Sequence, residues 1–320
     1  MIVTFTANPS LDRTAALAAP LRRGAVHRLA SVTVEPGGKG VNVARAVRLA
    51  GHDVLAVLPA RSRDPILSLL EERGVPFSAV DVTHSVRMNL TLTEPDGTTT
   101  KLNEPGASLG VDDVTVLQAA LVIAARRASW VVLSGSLPPG APVDWYATLV
   151  HTLRPFGCKI AVDTSDEPLR ALAGALPGAT PDLLKPNSEE LAQLSGADGH
   201  EMEERAAAGD VGPVIQAART LVDTGVRTVL ATLGAAGAVL VDAEGAWLAT
   251  PPPITPRSTV GAGDSSVSGY ILADVEGTDA PGRLRRAVAY GSAAATLAGT
   301  TLPSPSQIDL DGVTITRVEA

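Results

Sequence analysis

The stretch "STVGAGDSSVSG", Ser258 to Gly269, sets one carboxylate, Asp264, among residues with almost no side chain. Gly261, Ala262 and Gly263 precede it, and an apolar pattern follows through Val267, Tyr270, Ile271 and Val275. That order predicts a turn entering a helix. The unpaired N–H groups of a first helical turn, with the positive end of the helix dipole, favour an anion. Missing side chains let that anion approach the backbone. A carboxylate beside such donors can take a proton from a hydroxyl while they hold the group under attack. The plain alternative is a glycine-rich helix start in which Asp264 is an ordinary cap.

Other candidates share this form. In "EPGGKGVNVARA" (Glu35–Ala46), Gly37, Gly38, Lys39 and Gly40 precede a helix, and Lys39 and Asn42 can hold sugar hydroxyls or a phosphate. The spacing fits neither G-x-x-x-x-G-K-[ST] nor G-x-G-x-x-G, and a helix entry with a surface lysine remains the alternative. "LLKPNSEEL" ends an apolar strand in Lys185, Pro186 and Asn187, with Ser188 as a possible helix cap. Asn187 and Glu190 lie three apart and can orient a Mg²⁺ and its waters; alone, Glu190 is equally a good first-turn residue. "ATLGAAGAVLV" turns between two strands at Gly234 and Gly237, and "SGSLPPG" ends a strand in another small-residue turn.

These residues need a scaffold that brings strand ends together. Apolar strands such as "MIVTFTA", "DVLAVLPA", "SWVVLSGS", "KIAVDTS" and "RTVLATLG" alternate with helical stretches. The helices include "GVNVARAVRLAG", the segment opened by Asp64-Pro65 and closed at Gly74, and those near 112–127, 142–156 and 213–224. Alternation predicts a mostly parallel sheet with right-handed crossovers. Two segments break the rhythm: Val26–Pro36, and Arg87–Gly106 with a turn at Glu94-Pro95-Asp96-Gly97. They predict a small antiparallel sheet over the carboxyl ends of the core strands, where it can exclude water. Ala197–Asp210 reads as a solvated insertion.

Of the 320 residues, 45% are hydrophobic but only 3% aromatic, so Ala, Val and Leu must fill the interior. A formal net charge of −8 argues against nucleic-acid binding, which needs clustered Lys and Arg. The lone Cys158 excludes an internal disulfide and fits a reducing cytosol. No basic-then-apolar leader opens the chain, and no run of about 18 apolar residues predicts a membrane span. The five histidines are scattered without metal-ligand spacing.

The order "GGKGVNVARA", "SGSLPPG", "KPNSEEL", "STVGAGD" resembles the ribokinase-like (PfkB) carbohydrate kinases over essentially the whole chain. The resemblance implies a single α/β domain over 1–320: a three-layer ribokinase-like fold with a mainly parallel sheet and a small β lid from segments about 12–36 and 87–104. It implies Asp264 as general base and the N–H groups of Gly261, Ala262, Gly263 and Asp264 as an anion hole for the γ-phosphoryl of ATP. Lys185 and Asn187 would reach the ATP phosphates, the turn from Thr232 through Gly234 and Gly237 would touch the nucleotide, and Asn187 and Glu190 would help place Mg²⁺.

The start "TANPSLDRT" is similar to the branch acting on phosphorylated ketohexoses. There Asp12 would bind sugar hydroxyls, and Arg87 with Lys39 would bind the phosphate already on the substrate, with Gly37, Gly38, Asn42, Asn103 and Ser136 nearby. The expected reaction is D-fructose 1-phosphate plus ATP giving fructose 1,6-bisphosphate plus ADP; tagatose 6-phosphate and fructose 6-phosphate are the alternative acceptors. Ser258-Thr259-Val260 stands where the ribokinase branch carries Asp-Thr-x, which leaves a K⁺ site open. A cytoplasmic protein that binds neither nucleic acid nor membrane is expected, with a homodimer through the exposed lid edge as a possible assembly. A non-catalytic sugar-phosphate sensor would have lost Asp264 or its glycines, and a nicotinamide oxidoreductase would carry G-x-G-x-x-G after its first strand.

Overall fold

The computed structural model describes residues 1–318. Strand β1 (Ile2–Phe5) leads into β2 (Ser10–Leu17) and β3 (Leu29–Gly37), and α1 (Lys39–Leu49) follows at once. Next come β4 (Val54–Pro59), α2 (Pro65–Glu72), β5 (Phe77–Val80), β6 (Arg87–Thr93), β7 (Thr99–Asn103) and α3 (Val111–Ala125). The middle holds β8 (Trp130–Ser134), α4 (Trp145–Leu153), β9 (Lys159–Asp163), α5 (Asp166–Gly174), β10 (Leu183–Leu184), α6 (Ser188–Ser195), α7 (Gly199–Ala207) and α8 (Gly212–Asp223). The last elements are β11 (Thr228–Thr232), β12 (Ala238–Asp242), β13 (Gly245–Thr250), α9 (Ala262–Val275), α10 (Ala280–Ala295) and β14 (Thr314–Val318).

A ten-stranded sheet runs in the order β14-β13-β12-β11-β10-β9-β8-β1-β4-β5. It is parallel from β5 to β11 and antiparallel beyond. Each central strand is apolar on both faces, as a doubly covered sheet requires. Along β8, Val131 and Leu133 join a core with α3, α4, α6 and α8, through Leu117, Trp145, Leu191 and Val214. Trp130 and Val132 point the other way, into a core with α1, α2, α9 and α10, through Val43, Ile66, Ile271 and Leu284. The architecture is therefore a three-layer α/β/α sandwich, as expected. Few aromatics are needed: Phe5 meets Trp145 edge-on at 5.3 Å, and small and branched residues fill the rest.

A second sheet, β3-β2-β6-β7, stands beyond the core. Its β6–β7 hairpin turns at Glu94–Gly97, where the Glu94 N–H donates to Thr98 O at 2.8 Å. The sheet is not wholly antiparallel as expected, because β2 and β6 run parallel. Strand β2 follows β1 after the short break at residues 6–9 and was read only as part of the lid that the resemblance implied.

One expectation is corrected: Asn187, not Ser188, caps α6, its side chain accepting from the Glu190 N–H. The segment 197–210 is mostly exposed, as expected, but its regular structure was not read: it contains α7, capped by Asp198 and burying Met202 and Ala206. Charged neighbours masked that two-residue apolar edge. Among the described residues no helix is long and apolar enough to cross a membrane.

Candidate active site

Helix α9 begins where the sequence predicts. Gly261 is its N-cap at φ 78°, a left-handed conformation that glycine adopts without strain, and no side chain caps the turn. Among the described residues nothing accepts from the N–H groups of Gly261, Gly263 and Asp264, whereas the Ala262 N–H turns back to Thr259 O at 3.4 Å. Three donors rather than four are thus free for an anion.

Asp264 is buried at 5% exposure, and Asn42 Nδ2 donates to its Oδ2 at 2.8 Å. The long-range pairing of α1 with α9 through these two side chains brings the two glycine-rich turns together. Burial, and next the negative charge of Asp163, push the Asp264 carboxyl up to about 6. Lys39, Asn42 and Lys185 oppose that rise. Asp264 is thus a carboxylate poised to exchange a proton near neutrality.

Asp163 is one residue that sequence reasoning missed. It ends β9, is 1% exposed, and its Oδ1 takes both Lys39 Nζ at 2.9 Å and Lys185 Nζ at 3.3 Å. Burial would raise its carboxyl, but the two lysines overcome this and hold it below the usual range. Burial likewise works against the Lys39 ammonium, and Asp163, Asp264 and Glu190 together hold it above the ordinary lysine range. The Lys185 ammonium lies over the α9 start: a β-carbon on Gly263 would sit 3.5 Å from its Nζ. The only sequence signal for Asp163 is an acid at the carboxyl end of an apolar strand.

On the side expected to meet a nucleotide, Lys185, Pro186 and Asn187 continue from β10. Asn187 bridges to Thr232 at the end of β11, and the Thr232 N–H donates to Pro186 O at 3.0 Å. The Leu233 N–H closes the Gly234–Gly237 turn onto Gly237 O at 2.8 Å. Asn187 and Glu190 form a reciprocal capping box, each side chain accepting from the other's N–H at 2.8 Å. The cap occupies Glu190 Oε2 and Asn187 Oδ1, leaving Glu190 Oε1 and the Asn187 amide donor for a ligand. Glu190 is 6% exposed and has no ion-pair partner among the described residues. No group of three or more His, Cys, Asp or Glu there could hold a metal unaided. A spare, accessible carboxylate oxygen on a buried residue fits a hydrated divalent ion that phosphates also hold.

On the other side, the small sheet sets Glu35, Asp12, Asn89 and Asn103 in one register across its four strands. Asp12 Oδ1 accepts from Ser10 Oγ at 2.7 Å and Asn89 Nδ2 at 3.0 Å. A β-carbon at Gly37 would collide with the Asp12 carboxylate, so that position must be bare. Gly38 next to it is the α1 N-cap. Arg87 opens β6; its Nη1 donates to Glu104 O at 3.2 Å, its Nη2 lies 3.5 Å from Ser136 Oγ, and its buried Nε has no partner. Burial draws the Arg87 guanidinium below its ordinary range despite Asp12 and Glu104. Asn8 Nδ2 also donates to Ser136 Oγ, at 3.3 Å. Asn103 is exposed on the edge strand, with no contact to Asp12 of its own. Asn8 and Asn89 were not foreseen, although Asn89 shares a strand face with Arg87 by its spacing of two.

The two sides join. Ser136 follows Gly135, which packs against Lys39, with its would-be β-carbon 3.7 Å from Lys39 Cβ. Lys39 meets Asp163, Asp163 meets Lys185, and Lys185 overlies Gly263. A chain of neighbouring residues thus runs from Arg87 through Ser136, Gly135, Lys39, Asp163 and Lys185 to the open helix start.

Residues 6–307 match the model of the pfkB family carbohydrate kinases. A 1-phosphofructokinase of Xanthomonas campestris pv. campestris is 36% identical over 274 residues, which cover 85% of this chain and 83% of that protein. The ATP-dependent 6-phosphofructokinase isozyme 2 of Escherichia coli is 34% identical and covers 95% of both. The solved phosphofructokinase-2 of Escherichia coli in complex with substrates and products superposes with a TM-score of 0.86 at 33% identity, over 96% of each chain. The same enzyme has also been solved in complex with potassium.

Proposed function

The chain belongs to the pfkB family of carbohydrate kinases and is an ATP-dependent sugar-phosphate kinase; on that premise we propose that it acts on D-fructose 1-phosphate, yielding fructose 1,6-bisphosphate and ADP. The single observation that carries the mechanism is the meeting of Asp264 with an uncapped helix start under the Lys185 ammonium. Asp264 takes the proton of the acceptor hydroxyl. The free N–H groups of Gly261, Gly263 and Asp264 receive the γ-phosphoryl oxygens as charge develops on them. Bare neighbours matter because any side chain there would stand between phosphorus and donor.

Lys185, Asn187 and the turn from Thr232 to Gly237 hold the nucleotide. Glu190 and Asn187 would hold a hydrated Mg²⁺ through its waters, and that ion would neutralise charge on the phosphates. At the acceptor end the Arg87 guanidinium, with an unpaired buried N–H, takes the phosphate the sugar already carries. Asp12, fixed by Ser10 and Asn89, accepts from sugar hydroxyls, and Lys39, Asn42, Asn103 and Ser136 surround the sugar. The potassium complex of the Escherichia coli relative supports testing K⁺ as an activator. The β3-β2-β6-β7 sheet acts as a lid within one domain. Exposed Leu29, Val32, Val34 and Leu102 support its pairing with a second copy.

An ADP-release assay over fructose 1-phosphate, tagatose 6-phosphate, fructose 6-phosphate and unphosphorylated fructose tests this reading. Fructose 1-phosphate should give the highest kcat/KM, and Arg87→Ala should raise KM for the sugar phosphate far more than for ATP. Preference for unphosphorylated fructose would sink the proposal. Preference for fructose 6-phosphate would favour the second reading, which the 34% identity to the Escherichia coli 6-phosphofructokinase isozyme supports.

A further inference from the structure

We propose that Asp163 is a positioning residue: through one oxygen atom it yokes Lys39 and Lys185 and sets the two ammonium groups as a facing pair before either substrate arrives. The inference rests on the kinase reading above and extends it to a carboxylate that reading does not use. Asp163 ends β9 between β8 and β10, near the middle of the core sheet, and its own C=O accepts the Gly135 N–H at 2.9 Å. Its carboxylate therefore has little freedom. Lys39 arrives from the first turn of α1, which belongs to the acceptor side. Lys185 arrives from the end of β10, which belongs to the nucleotide side. Both reach Oδ1, at 2.9 and 3.3 Å, while Oδ2 is buried without a partner.

A carboxylate serving stability alone would use both oxygens, because a buried unpaired one is costly. Two lysines sharing one atom do something else. Each has a long flexible stem, and without a common anion the two charges would repel and swing apart. Holding them beforehand removes that reorganisation from the reaction. Asp264 is faced by Lys39 and Asn42 from α1, Asp163 from β9 and Lys185 beyond β10, so the same carboxylate also adds a like charge beside the base.

The test replaces the charge and keeps the shape: Asp163→Asn, in the full chain, across a series of Mg²⁺ concentrations. A non-hydrolysable ATP analogue and fructose 1-phosphate are titrated separately by calorimetry. Both affinities should fall roughly tenfold or more, as for loss of charge-assisted bonds, and the acid limb of kcat/KM should move to lower pH. Lys39→Met should weaken only the sugar phosphate, and Lys185→Met only the nucleotide. In the Lys39→Met/Lys185→Met background, adding Asp163→Asn should change neither affinity more than about twofold, since the residue acts through those partners. Asp163→Asn strands a buried Lys185, so a thermal melt checks each variant. If the single variant does not fold, Asp163→Asn/Lys185→Met reads the Lys39 arm alone. An undiminished effect of Asp163→Asn in the two-lysine background overturns the proposal. So does a loss cured by raising Mg²⁺, which would assign the carboxylate to the metal. Lysine variants that change neither affinity would instead remove the kinase reading of the site on which the proposal stands.

Discussion

As the proposed base, Asp264 has to be both buried and basic, and that combination costs stability. Its folded carboxyl lies at about 6, above the ordinary 3.8, so the native state holds the proton more tightly than the unfolded chain does. The stability this brings is complete below the unfolded value and is lost as pH rises through about 6. At neutral pH the protein therefore carries a destabilising charge that its chemistry needs. Asp264→Asn should lose roughly two or more orders of magnitude in kcat. It should also melt a few degrees higher than the parent at pH 8, with the gain fading by pH 4 to 5. Wild-type kcat/KM should climb through pH 6 and level off above it. Scanning fluorimetry and initial rates over pH check both, and a flat profile with unchanged melting would remove Asp264 as the base. Asp264 was legible because a lone acid among Gly, Ala and Ser is conspicuous. Asp163 was not: nothing in "KIAVDTS" separates a working acid from one that merely ends a strand, and Lys39 lies 124 residues away.

At the scale of elements, the local code was plain wherever a cap and a breaker agreed. Asp64 before Pro65 starts α2, accepting from the Ile66 N–H, and Gly37-Gly38 opens α1. It failed where tertiary packing supplies most of the support, as in α7, which buries little. On the proposed function the box at α6 serves both structure and ligand through one pair of residues, so its variants should separate the two roles. Asn187→Ala should cost about 1 kcal/mol in stability, as for loss of a cap, and should raise KM for ATP. Asn187→Ser keeps a capping oxygen but no amide donor, so it should melt nearly as wild type while KM for ATP stays high. Denaturant melts and steady-state kinetics would tell these apart, and a Ser variant with normal KM would reduce Asn187 to a cap.

Across the whole molecule, the sequence showed the parallel sheet and its two covering layers through alternation alone, because each strand is short, apolar and ended by a polar turn. It did not show how the second sheet is sewn together. Its hairpins β2–β3 and β6–β7 are local, but they meet along a parallel seam that pairs Asp12 with Asn89, residues 77 apart, with β4, α2 and β5 of the core lying between. Pairing across such a span repays its loop-closure entropy only after the intervening strands have found their places. The seam therefore closes late in folding and reopens early, below the global unfolding threshold. Amide exchange should reach β2 and β6 well before β1, β8 and β9, and equal protection would contradict this order. The platform under Asp12 and Arg87 should thus be the last part of this protein to be made and the first to be lost on warming, and on the proposed function sugar recognition should then fade while nucleotide binding persists.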